Sequence, residues 1–201
     1  MRITKQLLAS ISITSVFALP VSAETYYYEI DRDGSYIKYT AHATTHDMEG
    51  NVREFWGWLK VDPETRNIQG KIEVKAKSMT SGNSMRDNNT YKLLEVDKYP
   101  MISFEITGLH SDELDKITSK DEAIGKTVSA HLIGSFTLHG VTKEIGIPAQ
   151  VEIGSSALKG TASFKILLTD YGMEPPEFAM FKAENDVDVK ARIVFRQKEE
   201  K

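Results

Sequence analysis

Four groups of residues have types and spacing that could do chemistry. The first is Ser81-Gly82-Asn83-Ser84-Met85-Arg86-Asp87-Asn88-Asn89-Thr90. Its Ser-Gly-Asn-Ser opening can end a strand and cap a helix. Its Arg86 can clamp a phosphate or quinone oxygen, or pair structurally with Asp87 or another carboxylate. The second group is the histidines. His42 and His46 lie four apart but need not share a face, His131 falls on the outward face of its strand, and His110 and His139 sit near turns. No metal-ligand spacing emerges from them. Third, Glu174-Pro175-Pro176-Glu177 with Phe178, Met180 and Phe181 can either lid a barrel mouth or plug it as a rigid crossover. Fourth, Trp56 and Trp58 flank Gly57 on one face, where they pack a core, pave an outer groove or face a dimer partner. The chain has no cysteine, which removes disulfides, thiol nucleophiles and thiolate metal sites.

The elements that must position these groups show period two. Ile68, Gly70, Ile72, Val74 and Ala76 alternate with Gln69, Lys71, Glu73 and Lys75. The same alternation runs through Ile102–Ile106, Val128–Leu138, Ile145–Ile153, Ala162–Leu168 and Val187–Phe195. Earlier strands are expected at Tyr26–Ile30 with Tyr36–Ala43, and at Phe55–Val61. Turns are expected at Asp33-Gly34, Asp62-Pro63, His139-Gly140 and Gly154-Ser155. One short helix is expected within Ser84–Val96, and a charged loop over Ser111–Gly125. Each strand has one apolar and one polar face, which means antiparallel sheet wet on one side. The fold class is all-β, a sandwich or a closed barrel, and closure removes exposed edges.

The inward residues mix Ile, Val, Leu and Phe with small ones such as Ala130, Gly134, Ala149, Ala162 and Ala191. They either fit a tapering core or leave a bore along the axis. An eight-stranded barrel is wide enough for side chains or one small ligand. The assigned inward positions are almost all hydrocarbon, which offers no converging titratable groups for catalysis. An apolar tube suits an elongated apolar ligand. Burying about 100 Å² per isoprene-sized unit is worth about 2 kcal/mol before ordering costs. Such a ligand is expected to run past Val128, Ala130, Leu132, Gly134, Phe136, Ile147, Phe164 and Ile193, with its polar end near Arg86 or the Pro175-Pro176 loop beside Phe178.

Composition sets the compartment. The 201 residues are 40% hydrophobic and 27% charged, with a net charge of −4, which argues against nucleic acid. Arg2 and Lys5 precede an apolar run from Leu7 to Leu19, followed by Pro20-Val21-Ser22-Ala23. This reads as a signal peptide, residues 1–23, cleaved after Ala23. The run is about 13 residues, short of the roughly 20 needed to span a bilayer. Cleavage removes two of 25 cations and none of the 29 acids, leaving a charge of −6 on residues 24–201. The expectation is a periplasmic or secreted domain with no stable membrane span.

Several motifs resemble the YceI-like family of periplasmic polyisoprenoid-binding proteins. They are His46-Asp47-Met48-Glu49-Gly50; Ser81 to Asp87 followed by Leu94-Glu95-Val96-Asp97-Lys98-Tyr99-Pro100-Met101-Ile102-Ser103-Phe104; Gly134 to Lys143; and Asp170-Tyr171-Gly172 with Glu174-Pro175-Pro176. Where the family often has a histidine soon after the Arg-Asp pair, this chain has Asn89. The resemblance implies an antiparallel eight-stranded extended lipocalin-like barrel around a polyprenyl phosphate or a quinone tail, with no other cofactor. By the same analogy it allows a homodimer. It implies a non-enzymatic carrier. The alternative is an interaction or stress-response module with a filled barrel, which binds a protein or membrane through its loops and outer face.

Overall fold

The computed structural model describes residues 25–44, 46–178 and 181–198. The side chains of Phe178 and Phe181 lie outside the description, as do Met180 and the expected signal peptide. Eleven strands follow in order: β1 (Tyr26–Ala43), β2 (Met48–Val52), β3 (Phe55–Asp62), β4 (Asn67–Lys75), β5 (Met79–Thr80), β6 (Met101–His110), β7 (Thr127–Leu138), β8 (Val141–Ile153), β9 (Ala157–Leu167), β10 (Glu177–Phe178) and β11 (Phe181–Lys198). Helix α1 (Ser84–Leu93) and the four-residue α2 (Lys120–Ala123) interrupt them. Every pairing is antiparallel. Neighbours run β11-β9-β8-β7-β6-β4-β3-β1, and β1 pairs back onto β11, so eight strands form a closed barrel. The short strands β2, β5 and β10 extend its wall.

The barrel is long because its closing pair is long. β1 and β11 each hold 18 residues, about 55–60 Å if fully extended. The Asp33-Gly34 turn expected within the first of these does not form. The segment stays in the strand as a bulge between Asp31 and Tyr36 opposite Val194–Arg192. The side chains repair the broken ladder. The Ser35 hydroxyl donates to the Asp31 carbonyl at 2.6 Å and accepts from the Val194 N–H at 2.8 Å. The Asp31 carboxylate accepts from the Asp33 N–H and from Arg196 Nε. A bulge of this kind bends the strand and strengthens its twist, which helps a sheet close.

The two ends of the barrel differ. One end gathers α1, β2, β5, the β7–β8 hairpin at His139-Gly140 and the Glu174–Glu177 loop. At this end β1 pairs with β2 over Lys38–Ala41, whereas toward the other end it pairs with β3 over Tyr26–Glu29. The opposite end gathers the β3–β4 turn, residues 111–126 and the β8–β9 turn. The charged loop expected at Ser111–Gly125 contains a 3₁₀ turn (Leu114–Lys116) and α2.

Two of the sequence motifs prove to be packing solutions. Gly50 pairs with Tyr39, and a Cβ at Gly50 would lie 2.1 Å from the Tyr39 ring, so only glycine lets the ring lie there. At the hairpin, His139 and Gly140 both have positive φ (51° and 74°), the geometry of a tight two-residue connection. A Cβ on Gly140 would meet the Tyr99 ring at 2.4 Å. His139 stands edge-on to Tyr99 with centroids 4.8 Å apart, and its Nδ1 lies 3.1 Å from the Tyr171 carbonyl. The hairpin motif and the Tyr99-Pro100 motif are therefore two halves of one contact.

Candidate functional site

The inward faces of the strands do not meet across the axis. They enclose a cavity of about 1520 Å³ that runs from the α1 end to the opposite end. That exceeds the roughly 300–1,000 Å³ of most small-molecule sites. Its walls are apolar along the shaft. Leu132, Phe136, Ile147, Phe164 and Ile193 line it, and Ala149, Gly160, Ala162 and Ala191 keep it wide. Phe136 packs edge-on against Phe164 and Tyr171, with centroids 6.3 and 5.6 Å away.

Other residues named from the sequence have different places. Val128, Ala130 and Gly134 point inward and are buried, but they pack within the wall rather than facing the cavity. A Cβ on Gly134 would meet the Glu105 carbonyl at 2.1 Å, so the glycine admits close approach of the neighbouring strand. Phe178 pairs through its backbone with Phe181 in the β10–β11 hairpin. Pro176 and Glu177 line the cavity at the α1 end, as does Asn89. Trp56 and Trp58 sit on the outer face, opposite the buried Phe55 and Leu59. The Trp56 indole donates to Glu73 at 3.0 Å, and Trp58 stacks on Tyr27.

The α1 end carries the polar groups, and their placement begins with Asp87. Its carboxylate is buried and accepts three hydrogen bonds at 2.7 Å, from the Ser81 N–H, the Ser81 hydroxyl and the Thr80 hydroxyl. Burial pushes the Asp87 pKa up, but those hydrogen bonds outweigh it and hold the carboxyl below its ordinary value. Asn83 caps α1 by accepting from the Met85 and Arg86 N–H groups, and Gly82 makes the turn at φ 78°. The Tyr91 hydroxyl donates to the Met79 carbonyl at 2.7 Å. The Ser81–Asp87 motif is thus a clasp that fixes the helix to β5.

The clasp aims Arg86 at the cavity. One of its terminal nitrogens donates to the Ser81 carbonyl at 3.4 Å, and its buried Nε has no hydrogen-bond partner. Tyr39 lines the same end. Its pKa is pushed up to about 12, by burial first and then by the charge of Asp87, so it keeps its proton and can donate. Tyr39 was legible as an inward residue, sharing a face with Ile37 and Ala41, but nothing local in the sequence paired it with Arg86.

On the outside of this end, His42 bridges the corner after β1 to β11. Its Nδ1 lies 2.9 Å from Asp47 and its Nε2 3.1 Å from Asp188. Potential ligand atoms of His42, Asp186 and Asp188 fall within 4.8 Å of one another. Lys165 already neutralises Asp186, and Asp47 occupies the other imidazole nitrogen. The hydrogen bonds to Asp47 and then Asp188 raise the His42 pKa. A raised folded-state value stabilises the fold below the unfolded histidine value of about 6.5, and this is lost as pH rises through the folded value. Melting temperature should therefore fall more steeply from about pH 6 to pH 9 in the native chain than in His42→Gln. Parallel melting curves would show that the bridge contributes nothing.

The architecture defines a class: an extended, closed, antiparallel barrel with an apolar bore and a polar group at one end. A family model for the YceI-like domain matches residues 28–195, and the chain belongs to the YceI-like family. Solved structures share the fold. BcnA of Burkholderia cenocepacia aligns with a TM-score of 0.66 at 14% identity, covering 82% of this chain and 98% of that one. A polyisoprenoid binding domain from Saccharophagus degradans implicated in plant cell wall breakdown gives 0.66 at 13%, covering 85% and 98%. The YCEI protein of Campylobacter jejuni gives 0.58 at 17%, covering 79% and 90%. A search of the curated proteins finds no match.

Proposed function

We propose that residues 24–201 form a non-enzymatic periplasmic binding and carrier protein for a long isoprenoid lipid, a polyprenyl phosphate or a quinone. Export would follow cleavage of residues 1–23, and among the described residues no helix is long and apolar enough to cross a membrane. The observation that carries the reading is the cavity of about 1520 Å³ with hydrocarbon walls. Water gains few hydrogen bonds in such a space, and an apolar chain gains burial at roughly 25 cal/mol per Å². The polyisoprenoid-binding domain of similar fold supports the ligand class. The tail lies along Leu132, Phe136, Ile147, Phe164 and Ile193. The polar head meets Arg86, whose Nε is unsatisfied, and Tyr39.

The head assignment makes a testable distinction. A guanidinium and a phenol favour an anionic or carbonyl head over a plain alcohol. Arg86→Gln should weaken binding of a polyprenyl phosphate by about tenfold, and of the matching polyprenol by less than about threefold. Competition binding on the delipidated protein reads both. Equal losses for the two ligands would remove Arg86 from the head site. A second reading rests on the outer aromatic face of Trp56, Trp58 and Tyr27, which suits a protein or membrane partner.

A further inference from the structure

The end opposite Arg86 is covered rather than built in. The cover comprises residues 112–124 and is rooted at both sides. At one root the Ser111 hydroxyl donates to the Ser129 carbonyl at 2.6 Å. At the other, Gly125, with φ 85°, donates its N–H to the Ile153 carbonyl at 2.7 Å. Between the roots, Ser119 caps α2, and Glu122 accepts from Thr118 and pairs with Lys126. The segment is therefore a unit with its own internal bonds. Its apolar side chains Leu114, Ile117, Ala123 and Ile124 face the cavity.

What holds this unit over the bore is polar and exposed. Arg66, on the β3–β4 turn, donates to the Asp115 carboxylate at 2.7 Å and to the Ile117 carbonyl at 3.1 Å. Lys120 lies 3.6 Å from the Tyr26 ring centroid. The contrast with the α1 end is physical. There a buried carboxylate with three hydrogen bonds fixes the helix, whereas here both partners of the Arg66–Asp115 pair are about half exposed (48% and 56%). Exposed charge pairs are weak and give way at little cost.

We propose that residues 112–124 form a hinged stop that sets the length of prenyl chain the barrel accepts, with Arg66 as its latch. The inference rests on the lipid-binding reading, with the head at Arg86. A tail entering from that end gains burial with each unit until it meets Leu114, Ile117, Ala123 and Ile124. A longer tail must lift the stop, breaking the Arg66 contacts, or fold back within the bore. Affinity should rise with chain length, then level off where the tail reaches the stop.

The test is competition among polyprenyl monophosphates of graded chain length, with bound species read by native mass spectrometry. Arg66→Asn removes the latch and keeps a residue that tolerates the Arg66 backbone, φ 59°. The ratio of long to medium chains bound should rise roughly two- to five-fold, the range expected for an exposed latch. Ile117→Trp, which fills the same end from the stop itself, should lower that ratio. Melting curves confirm that each variant is folded. The same chain-length distribution in all three proteins would overturn the stop while leaving a lipid-binding barrel. Folded protein that takes up no prenyl chain in any of the three would instead overturn the lipid reading, and the stop with it.

Discussion

Gly160→Trp should abolish lipid uptake and leave the barrel folded. Gly160 lies in β9 between Val151 of β8 and Ile193 of β11 and lines the cavity. A Cβ built there has no atom within 4 Å, and the residue lacks a positive φ, so the backbone accepts a side chain. An indole would project into the bore and take the place of tail atoms along its width. The tail would lose the units beyond the obstruction as well as those it displaces. At about 2 kcal/mol per isoprene-sized unit, losing even two units weakens binding roughly a thousandfold. Gly134 does not serve, because a side chain there strikes the Glu105 carbonyl and tests the wall instead. Binding by Gly160→Trp with native affinity, in protein with native circular dichroism, would place the ligand outside the barrel.

Asp87→Ala carries the second large effect, on stability. It strips three partners from one buried carboxylate and leaves the Ser81 N–H and two hydroxyls to find others. Hydrogen bonds to a charged acceptor contribute about 1.5–3 kcal/mol each, and water entering the space recovers part. The net loss should be about 2–4 kcal/mol, read as a lower urea midpoint. The pH dependence follows from the depressed carboxyl pKa. A group whose folded pKa lies below its unfolded value of about 3.9 stabilises fully above that value. The contribution then disappears as pH falls through the folded value. Acidification below about pH 4 should therefore cost the native chain more stability than it costs Asp87→Ala. Because the clasp also aims Arg86, the variant should lose selectivity for a phosphate head. A variant as stable as the native chain would mean that the clasp is decoration on a helix held by other contacts.

The strands were legible because each side chain reports its face. β4, β6, β7, β8 and β9 alternate cleanly; the bounds of β4 and β7 fall within a residue of the pattern, while β6 ends four residues later and β8 and β9 begin four and five residues earlier than it marks. β1 was harder to read. Asp33-Gly34 has turn chemistry, and only the distant Val194 and Arg196 show that the strand continues through it. β2 and β5 span five and two residues, too short for a period to register. The stop escaped notice because its charged residues hide Leu114, Ile117, Ala123 and Ile124, which gather only when α2 folds. Helix α1 ends at Leu93, inside the Ser84–Val96 stretch expected to hold it. The next residues turn back, with the Glu95 φ positive at 45° and the Tyr99 N–H bonded to the Glu95 carbonyl at 2.8 Å.

The site divides in the same way. An apolar lining follows from alternation, so Leu132, Phe136, Ile147, Phe164 and Ile193 could be named in advance. The free volume could not, because the barrel's radius depends on strand tilt and stagger, which no single strand encodes. That is why Val128, Ala130 and Gly134, inward by pattern, lie within the wall, while Gly160 opens onto the cavity. His42 likewise meets Asp188, a partner 146 residues away that spacing rules do not reach.

The most direct measurement is native mass spectrometry of the protein purified from its source cells without detergent washing, followed by extraction and identification of anything bound. The account predicts one lipid per chain, a prenyl tail with an oxygen-rich head, absent from Gly160→Trp prepared alongside. A native chain that is empty on purification, and that stays empty when offered polyprenyl phosphates and quinones, would contradict it.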